Sequence, residues 1–329
     1  MATMQAIRLT GPCSTKELVP TTVEKPTIKP GYVLIKVKAF GVNESEITSR
    51  KGGSSSDFSY PRVLGIEGAG EVAEVGEDSP FHVGQKVVTM MGGLGRGIDG
   101  SYAEYTLVRE DSVIPVNVDA PWDLIGSLPE MLQTAYGSLT EGLAVQAGDI
   151  LFIRGGSSTV GLMGIIVGRL LDARVIATTR QEQKLAPLKD YGAECAVLDD
   201  DELPEKMAAI VPCGVDKVLE LVGCSTLFQD LGFMRQGGYA CFTGALGGQW
   251  TVPDFSPFSI PKGCYLTSYD GAANDLPASF FNFVLGKAAA GDIKIPIAQV
   301  YHGLSEVGKA QGNLESGKFI GKHVVVLDD

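Results

Sequence analysis

The residues best suited to bind a ligand form a glycine-rich turn near the middle of the chain. An apolar run at Ile150–Ile153 leads into the string Gly155, Gly156, Ser157, Ser158, Thr159, Val160 and Gly161. A helix-like stretch follows to Leu171, and a second apolar run occupies residues 174–177. This order of strand, glycine turn, helix and strand predicts a βαβ unit that presents backbone N–H groups to a dinucleotide pyrophosphate.

The glycines of the turn have a physical role, and one position departs from the expected spacing. Gly155, Gly156 and Gly161 permit a tight turn and a close approach of helix to strand. Ser158 stands where the spacing G-x-x-G-x-x-G would place the middle glycine. Its hydroxyl and that of Thr159 could donate to the pyrophosphate, or could simply cap the helix.

The residues that end the second strand indicate which dinucleotide is bound. NAD-binding proteins usually place an acid there for the ribose 2′-OH, but this chain has Thr178, Thr179 and Arg180. Lys184 follows one helical turn after Arg180, so both bases can face the adenosine end of the cofactor. The pattern predicts NADPH as the cofactor. The alternative is that the two bases are solvated helix residues.

The length, net charge and cysteine pattern of the chain restrict the class of protein. The 329 residues suggest two domains, and a net charge of -12 excludes a nucleic-acid partner because phosphate binding requires a basic face. The six cysteines are scattered without a C-x-x-C pair, as in a protein with reduced thiols. No signal peptide is indicated, and the longest apolar stretch is interrupted by Arg169 and too short to cross a membrane. We therefore expect a cytoplasmic protein.

Two kinds of element must position these residues. Before Trp122 the chain has β-like runs at 32–39, 70–75, 86–89 and 103–107, which predict a barrel-like domain. After Trp122 strands alternate with helices, including predicted helices at 181–191 and 226–234, which indicates a doubly wound parallel sheet. The tail is again β-like at 299–301 and 323–327.

Several strings resemble the medium-chain dehydrogenase/reductase superfamily. The segment Gly65 to Val72, with Val75-Gly76 and 83–87 after it, is similar to its G-x-E-x-x-G motif and the following strand. The strings at 41–43, 100–105 and 134–136 occur in the order typical of its zinc-independent quinone oxidoreductase-like branch. The resemblance covers essentially the whole chain. It implies an α/β protein with a GroES-like β-rich catalytic domain at 1–122 and 296–329 and a Rossmann NADPH-binding domain at 123–295.

The resemblance also implies that no metal is bound. Zinc-dependent relatives have Cys and His where this chain has Asn43 and Ile66, and the region of their structural zinc, here 90–102, contains no cysteine. Asn is a poor zinc ligand, Ile is none, and Glu67 alone cannot hold the ion. Without a Lewis acid, hydride acceptors must spread the developing charge themselves, which favours quinones and α,β-unsaturated carbonyls (enones).

Further site residues follow from this resemblance and from strand ends. Asn43 is expected to bond a ribose hydroxyl or the substrate carbonyl, as a catalytic and cofactor-binding residue, or else to hold a turn. Thr134 is expected near the cofactor, or else as a buried helix threonine. Tyr60 could line the substrate site or pack, and Arg96, in a glycine-rich loop predicted to be mobile, is a candidate substrate contact. Candidate nicotinamide contacts, or else ordinary turn residues, follow two predicted strands: Val222, Gly223, Thr243 and Gly244.

These expectations together describe a reductase. Hydride would pass from NADPH to a quinone or enone in a cleft between the domains, and solvent would supply the proton because no side chain stands out as donor. The alternatives are an enoyl reductase acting on a carrier-tethered chain and a nucleotide-binding protein without turnover. The resemblance also implies a homodimer, in which the edge strand at 264–268 would pair two copies.

Overall fold

The computed structural model describes residues 2–53 and 58–327. Backbone packing divides the chain into two compact units. The first unit contains the residues up to Glu130 and those from Ala272 onward, and the second contains Met131–Gly271. Among the described residues, no helix combines the length and the apolar character needed to cross a membrane.

The strands of the described chain are numbered in order. They are β1 Thr3–Ala6, β2 Arg8–Leu9, β3 Thr21–Glu24, β4 Tyr32–Val42, β5 Arg62–Val63, β6 Glu67–Val75, β7 Lys86–Met90, β8 Tyr105–Arg109, β9 Val113–Pro115, β10 Ile150–Arg154, β11 Arg174–Thr179, β12 Cys195–Leu198, β13 Val215–Glu220, β14 Met234–Phe242, β15 Tyr265–Ser268, β16 Ile297–His302 and β17 Lys322–Val326.

The helices are numbered likewise. They are α1 Glu44–Arg50, α2 Trp122–Ser127, α3 Pro129–Gly137, α4 Thr159–Leu170, α5 Leu185–Asp190, α6 Leu203–Ile210, α7 Cys224–Leu231, α8 Ala278–Ala289 and α9 Val307–Glu315. A π-helical turn, Ser138–Gly142, directly continues α3. Such turns are rare and are often found at functional sites.

The first unit is built on a seven-stranded sheet. Its order is β16-β17-β4-β6-β7-β9, with β8 pairing the early part of β4. The last strand of the chain, β17, therefore lies between β16 and β4 rather than at an edge. Phe40 and Tyr102 stack at the centre of the core, with ring centroids 4.5 Å apart. Burial of such large rings is a main source of stability for a mostly β-stranded unit.

The second unit is a six-stranded parallel sheet in the order β12-β11-β10-β13-β14-β15. In units of chain order this is 3-2-1-4-5-6, the doubly wound arrangement of dinucleotide-binding domains. The strand order reverses between β10 and β13. Ligands of such sheets bind at the carboxyl ends of the strands beside this reversal, and the glycine turn follows β10 there. The predicted α/β fold class is confirmed.

Several predicted elements differ from the structure. The helix predicted at 181–191 begins only at Leu185, because Pro187 is tolerated in the first turn but not farther inside. The helix predicted at 226–234 ends at Leu231, since Gly232 follows and Met234 already opens β14. Helix α1 and helix α9, which lies in the tail read as β-like, were not predicted.

The packing also divides the chain at different positions from the predicted boundaries. Residues 123–130 and 272–295 belong with the first unit, whereas the sequence placed them in the second. Helix α8 shows the reason. The side chain of Asn282 donates to the carbonyl of Pro115 (2.9 Å) and accepts from the amide of Asn117 (2.7 Å). This fixes α8 to the strand-rich unit.

Candidate functional site

The glycine turn after β10 has the shape expected of a phosphate-binding turn. Gly155 has a φ of +79°, which favours glycine. A Cβ at Gly156 would lie 2.8 Å from the Cβ of Ala177, and one at Gly161 would lie 2.5 Å from the carbonyl oxygen of Gly155. The turn therefore excludes side chains at both positions and leaves its backbone open to a close ligand, so these residues fit a dinucleotide pyrophosphate.

Ser158 serves as the N-cap of α4. Its hydroxyl accepts from the amide of Gly161 (3.0 Å) and donates to the carbonyl of Gly155 (2.9 Å). The structure thus shows the capping role that the sequence left open, and both functions of the hydroxyl are used within the protein. The helix begins at Thr159 directly after it.

The end of β11 is tied to the same turn by its two threonines. Thr178 Oγ1 accepts from the amide of Gly155 (3.2 Å). Thr179 Oγ1 donates to Ser157 Oγ (3.1 Å). Both threonines are buried. They hold the turn in place, and their contact with the cofactor stays a prediction.

The two bases after β11 lie near each other, although not on one helix as predicted. Arg180 is exposed at a bend, and Lys184 is half-buried at the end of a 3-10 turn. Burial lowers the pKa of the Lys184 ammonium, and the positive charge of Arg180 lowers it further. Two like charges are therefore held close at the position that follows the second strand of the βαβ unit. A bound dianion would relieve their repulsion.

A buried ionic network lies beneath the turn. The guanidinium of Arg154, the last residue of β10, binds both oxygens of Asp199 (2.7 Å each) and Oδ1 of Asp230 (2.6 Å). Burial raises the pKa of Asp230 well above its ordinary value, and the neighbouring Glu220 raises it further. The network fixes the carboxyl end of β10, from which the glycine turn departs.

Glu220 also determines the backbone after β13. Its Oε1 accepts from the amides of Val222 (2.5 Å) and Gly223 (2.9 Å). Gly223 has a φ of +121°, and a Cβ there would lie 2.8 Å from the carbonyl oxygen of Gln249. These two amides are engaged within the protein. Any contact of Val222 or Gly223 with a cofactor would have to use other atoms.

Thr134 and Thr243 are brought together by Ser138 in the π-helical turn. Ser138 Oγ donates to the carbonyl of Thr134 (2.7 Å) and lies 2.9 Å from Thr243 Oγ1. Gly244 follows Thr243, and its amide donates to the carbonyl of Glu220 (3.4 Å). The structure therefore groups Thr134, on α3, with Thr243 at the carboxyl end of β14, and the contact of either residue with a cofactor stays a prediction.

Asn43 lies in a buried polar cluster of the first unit. Its Oδ1 accepts from the Lys322 ammonium, and its Nδ2 donates to Glu67 Oε1 (2.9 Å). Lys322 Nζ also contacts Glu67 Oε1 (2.6 Å) and Glu130 Oε2 (3.0 Å). Burial lowers the pKa of Lys322, but the adjacent Glu67 and Glu130 outweigh it and raise the pKa above its ordinary value. The lysine is a permanent cation surrounded by oxygen atoms.

Glu46 forms a second polar centre beside Asn43. It accepts from the amides of Asn43 (2.7 Å) and Ile66 (2.8 Å) and from the hydroxyl of Tyr102 (2.5 Å). Burial raises the pKa of Glu46 to about 7, although its hydrogen bonds oppose this. Glu46 thus fixes the backbone at both Asn43 and Ile66.

Tyr60 and Arg96, the predicted substrate contacts, both lie in the first unit. Tyr60 donates its hydroxyl to the carbonyl of Ser49 (2.9 Å) and is edge-on to Phe58, which supports the packing interpretation. Arg96 is half-buried in a series of hydrogen-bonded turns anchored by the buried Leu94. The turns around Arg96 are thus held by regular backbone bonds.

The sequence reasoning missed Glu46, Glu130 and Lys322. Glu46 had a readable signal, because Asn43 followed three residues later by Glu is the pattern of a helix N-terminus. Glu130 and Lys322 had none. They are 192 positions apart along the chain and meet only through the sheet.

These residues do not fit the zinc that some relatives bind. The oxygen atoms nearest Asn43 already hold an ammonium, and Ile66 offers no donor side chain. Within residues 2–53 and 58–327, no group of three His, Cys, Asp or Glu is placed to bind a metal ion. Zinc prefers sulfur and imidazole ligands, which this cluster does not supply.

Comparison with known proteins finds two family matches within the chain. Residues 29–118 match the family described as alcohol dehydrogenase GroES-like domain, and residues 159–278 match the family described as zinc-binding dehydrogenase. The crystal structure of AibC covers 99% of this chain and 96% of its own, with 27% identity and a TM-score of 0.87. A mycobacterial protein solved with NADPH covers 98% and 99%, with 25% identity and a TM-score of 0.83.

Several relatives are named quinone oxidoreductase. The human (Homo sapiens) quinone oxidoreductase is 30% identical over 228 residues, which span 68% of this chain and 67% of the relative. The fold, the matched domains and this relative point to one family, and the activity common to it is oxidation and reduction with a nicotinamide cofactor. The chain therefore belongs to the medium-chain dehydrogenase/reductase superfamily, among its quinone oxidoreductase-like members.

Proposed function

We propose that this protein is an NADPH-dependent reductase that transfers hydride, without zinc, to quinones or α,β-unsaturated carbonyls. The observation that carries the proposal is the glycine turn at the carboxyl end of β10, with Arg180 and Lys184 close together after β11. The solved mycobacterial relative that holds NADPH supports the cofactor, and the human quinone oxidoreductase supports the acceptor class.

Different residues would bind different parts of the cofactor. The amides of the turn from Gly155 to Gly161 would hold the pyrophosphate, and Arg180 with Lys184 would hold the 2′-phosphate. Bound NADPH supplies a hydride from C4 of its nicotinamide ring. Asn43 would donate a hydrogen bond to an oxygen of the acceptor, and solvent would supply the proton that completes the reduction.

The acceptor class follows from the donor set around Asn43. An amide N–H stabilises a developing oxyanion less strongly than a metal ion does, so an isolated ketone is a poor acceptor at such a site. A quinone or an enone spreads the charge over its conjugated system. We therefore expect the enzyme to reduce these acceptors and to leave saturated aldehydes unchanged.

Steady-state oxidation of NADPH, followed at 340 nm with quinones, enones and saturated aldehydes, tests the activity. Reduction of the conjugated acceptors alone supports the proposal. Binding of NADPH without oxidation by any acceptor would leave a nucleotide-binding protein without turnover. Activity only with a pantetheine-tethered enoyl thioester would favour an enoyl reductase of carrier-bound chains.

The cofactor preference has its own test. Replacing Arg180 by Ala should raise KM for NADPH about 10- to 100-fold, the value of one or two charged hydrogen bonds, and leave KM for NADH nearly unchanged. Lys189→Ala is the matched control, because Lys189 is exposed on α5 in the same unit. Equal use of NADH and NADPH by the unmodified protein would contradict the assignment of Arg180.

Two further parts of the proposal concern assembly and metal. Strand β15 is the edge of the parallel sheet, and Tyr265 on it is half exposed, so the strand is free to pair with a second copy. Light scattering after size exclusion should give twice the 34.7 kDa mass of the chain.

Elemental analysis should find less than one zinc per ten chains, and one tightly held zinc per chain would overturn the metal-free mechanism.

A further inference from the structure

The side-chain amide of Asn43 lies between two groups of opposite charge. The Lys322 ammonium donates to its Oδ1, and Glu67 Oε1 accepts from its Nδ2 (2.9 Å). Lysine has donors only, and an ionised carboxylate has acceptors only. Rotating the amide by half a turn would place NH₂ against NH₃⁺ and C=O against COO⁻. The ion pair therefore permits one of the two amide orientations.

Both charges are themselves fixed. Glu67 Oε2 accepts from the backbone amide of Glu130 (2.8 Å), and the Glu130 side chain binds Lys322 Nζ (3.0 Å). Burial raises the pKa of Glu67, and the Lys322 ammonium opposes this. Every hydrogen-bond partner shown for the Glu67 carboxylate is a donor, which is the arrangement of an ionised carboxylate. Lys322 and Glu67 have no exposed side-chain surface, so water does not screen their effect on the amide.

This orientation leaves Asn43 with one N–H that has no acceptor among the described residues. Its oxygen is taken by Lys322 and its other N–H by Glu67. The residue is 7% exposed, so a ligand can reach part of it. An amide held in the opposite sense would offer an acceptor instead of a donor.

We propose that the Lys322–Glu67 ion pair is an orienting device, which makes Asn43 a hydrogen-bond donor to the carbonyl oxygen of the acceptor substrate. Lys322 and Glu67 are then positioning residues that act through Asn43. The inference rests on the proposed reductase activity and adds to it the residue that fixes the polarity of the site. A donor matches the oxyanion that forms when hydride reaches a conjugated carbonyl, whereas a carbonyl acceptor would repel it.

The test is a double-mutant cycle on kcat with NADPH and a quinone. Asn43→Ala should lower kcat about 100-fold, as removal of one oxyanion donor does. Glu67→Gln keeps the shape but can bind either end of the amide, so it should lower kcat about 10-fold. The pair Asn43→Ala/Glu67→Gln should be no slower than Asn43→Ala alone, because Glu67 then has nothing to orient.

Further variants serve as controls for the double-mutant cycle. Asn43→Asp, which lacks a donor when ionised, should be as slow as Asn43→Ala. Glu315→Gln, a control carboxylate that binds Arg50 in the same unit, should keep kcat within twofold. If Lys322→Met fails to fold, Lys322→Met/Glu67→Gln removes both charges and should lower kcat at least as far as Glu67→Gln does.

Three outcomes would overturn the inference. Multiplicative losses in the cycle would show that Glu67 acts independently of Asn43. Full activity of Asn43→Asp would show that no donor is needed. A raised dissociation constant for NADPH at unchanged kcat would place Asn43 on the cofactor. Inactivity of the unmodified protein with every acceptor would instead defeat the reductase proposal and leave the orientation of Asn43 to be measured by NMR of its amide, where Glu67→Gln should change the Nδ2 shift.

Discussion

The two units hold their functional groups by different means. In the second unit, the turn from Gly155 to Gly161 offers backbone amides, and the absence of side chains gives a ligand its close approach. In the first unit, the cluster around Asn43 depends on side-chain charges, of which Lys322 and Glu67 have no exposed surface. A backbone site depends on local conformation, whereas a charge cluster depends on every partner being present. Substitutions in both units test this contrast.

Removing the cation of the cluster should cost the most stability. Lys322→Met removes the cation that binds Glu67, whose side chain has no exposed surface, so the free energy of unfolding should fall by about 3–5 kcal/mol. Urea denaturation measures this. The control is Lys206→Met, which breaks a partly exposed pair with Asp200 (2.6 Å) and should cost at most about 1 kcal/mol. Equal losses of unfolding free energy in Lys322→Met and Lys206→Met would show that the buried cluster stabilises the fold no more than a partly exposed ion pair does.

The buried acid and the buried imidazole near this cluster should give opposite pH dependences. The pKa of Glu46 is about 7 in the fold, against 4.5 as its ordinary value, because burial opposes its charge. The unfolded chain therefore loses the Glu46 proton at a lower pH than the folded chain does. The contribution of Glu46 to the free energy of unfolding falls as pH rises from 4.5 to 7. Burial, and then the charge of Lys322, lower the pKa of His323 from 6.5 to about 4. Its contribution is lost as pH falls from 6.5 to 4.

Each contribution amounts to about 3 kcal/mol across its window, and the two offset each other in the unmodified protein. Subtracting the unfolding free energies of Glu46→Gln from those of the unmodified protein, pH by pH, should give a curve that falls toward pH 7. The same subtraction for His323→Gln should give a curve that rises from pH 4 to pH 6.5. Two flat curves would contradict both assignments.

A side chain in the glycine turn should impair binding more than folding. Gly161→Ala places a Cβ 2.5 Å from the carbonyl oxygen of Gly155 and must displace the turn. We expect a loss of about 1–3 kcal/mol in stability and at least a tenfold weaker affinity for NADPH, measured by fluorescence titration. Gly76→Ala meets open space and should change neither quantity. Unchanged NADPH affinity in Gly161→Ala would show that the turn is not the binding site.

The smallest effect is expected at Ser158. Ser158→Ala removes the N-cap of α4 and should cost about 1 kcal/mol, whereas Ser158→Gly should cost only a few tenths. Thermal unfolding distinguishes the two. A much larger loss of NADPH affinity than of stability would show that the hydroxyl binds phosphate after all.

How much the sequence could predict differs between the units for the same reason. The βαβ unit around Gly155 is local, so its strands, turn and helix could be predicted from residue type and spacing alone. The predicted helix at 181–191 begins too early, because Pro187 has to stand in the first turn of α5. The cluster around Asn43 joins residues 43, 67, 130 and 322, and no local pattern connects them. Glu46 was the exception, since its distance from Asn43 is that of a capping box.

The place of β17 inside the sheet has a consequence for synthesis on the ribosome. Glu67 and Glu130 emerge well before the lysine that binds them, because Lys322 belongs to β17, which follows the whole second unit along the chain. The nucleotide-binding unit, complete at Gly271, can fold while synthesis continues. The sheet of the strand-rich unit stays open beside β4 until β17 pairs with it. The strand-rich unit is thus expected to complete its sheet after the nucleotide-binding unit has folded.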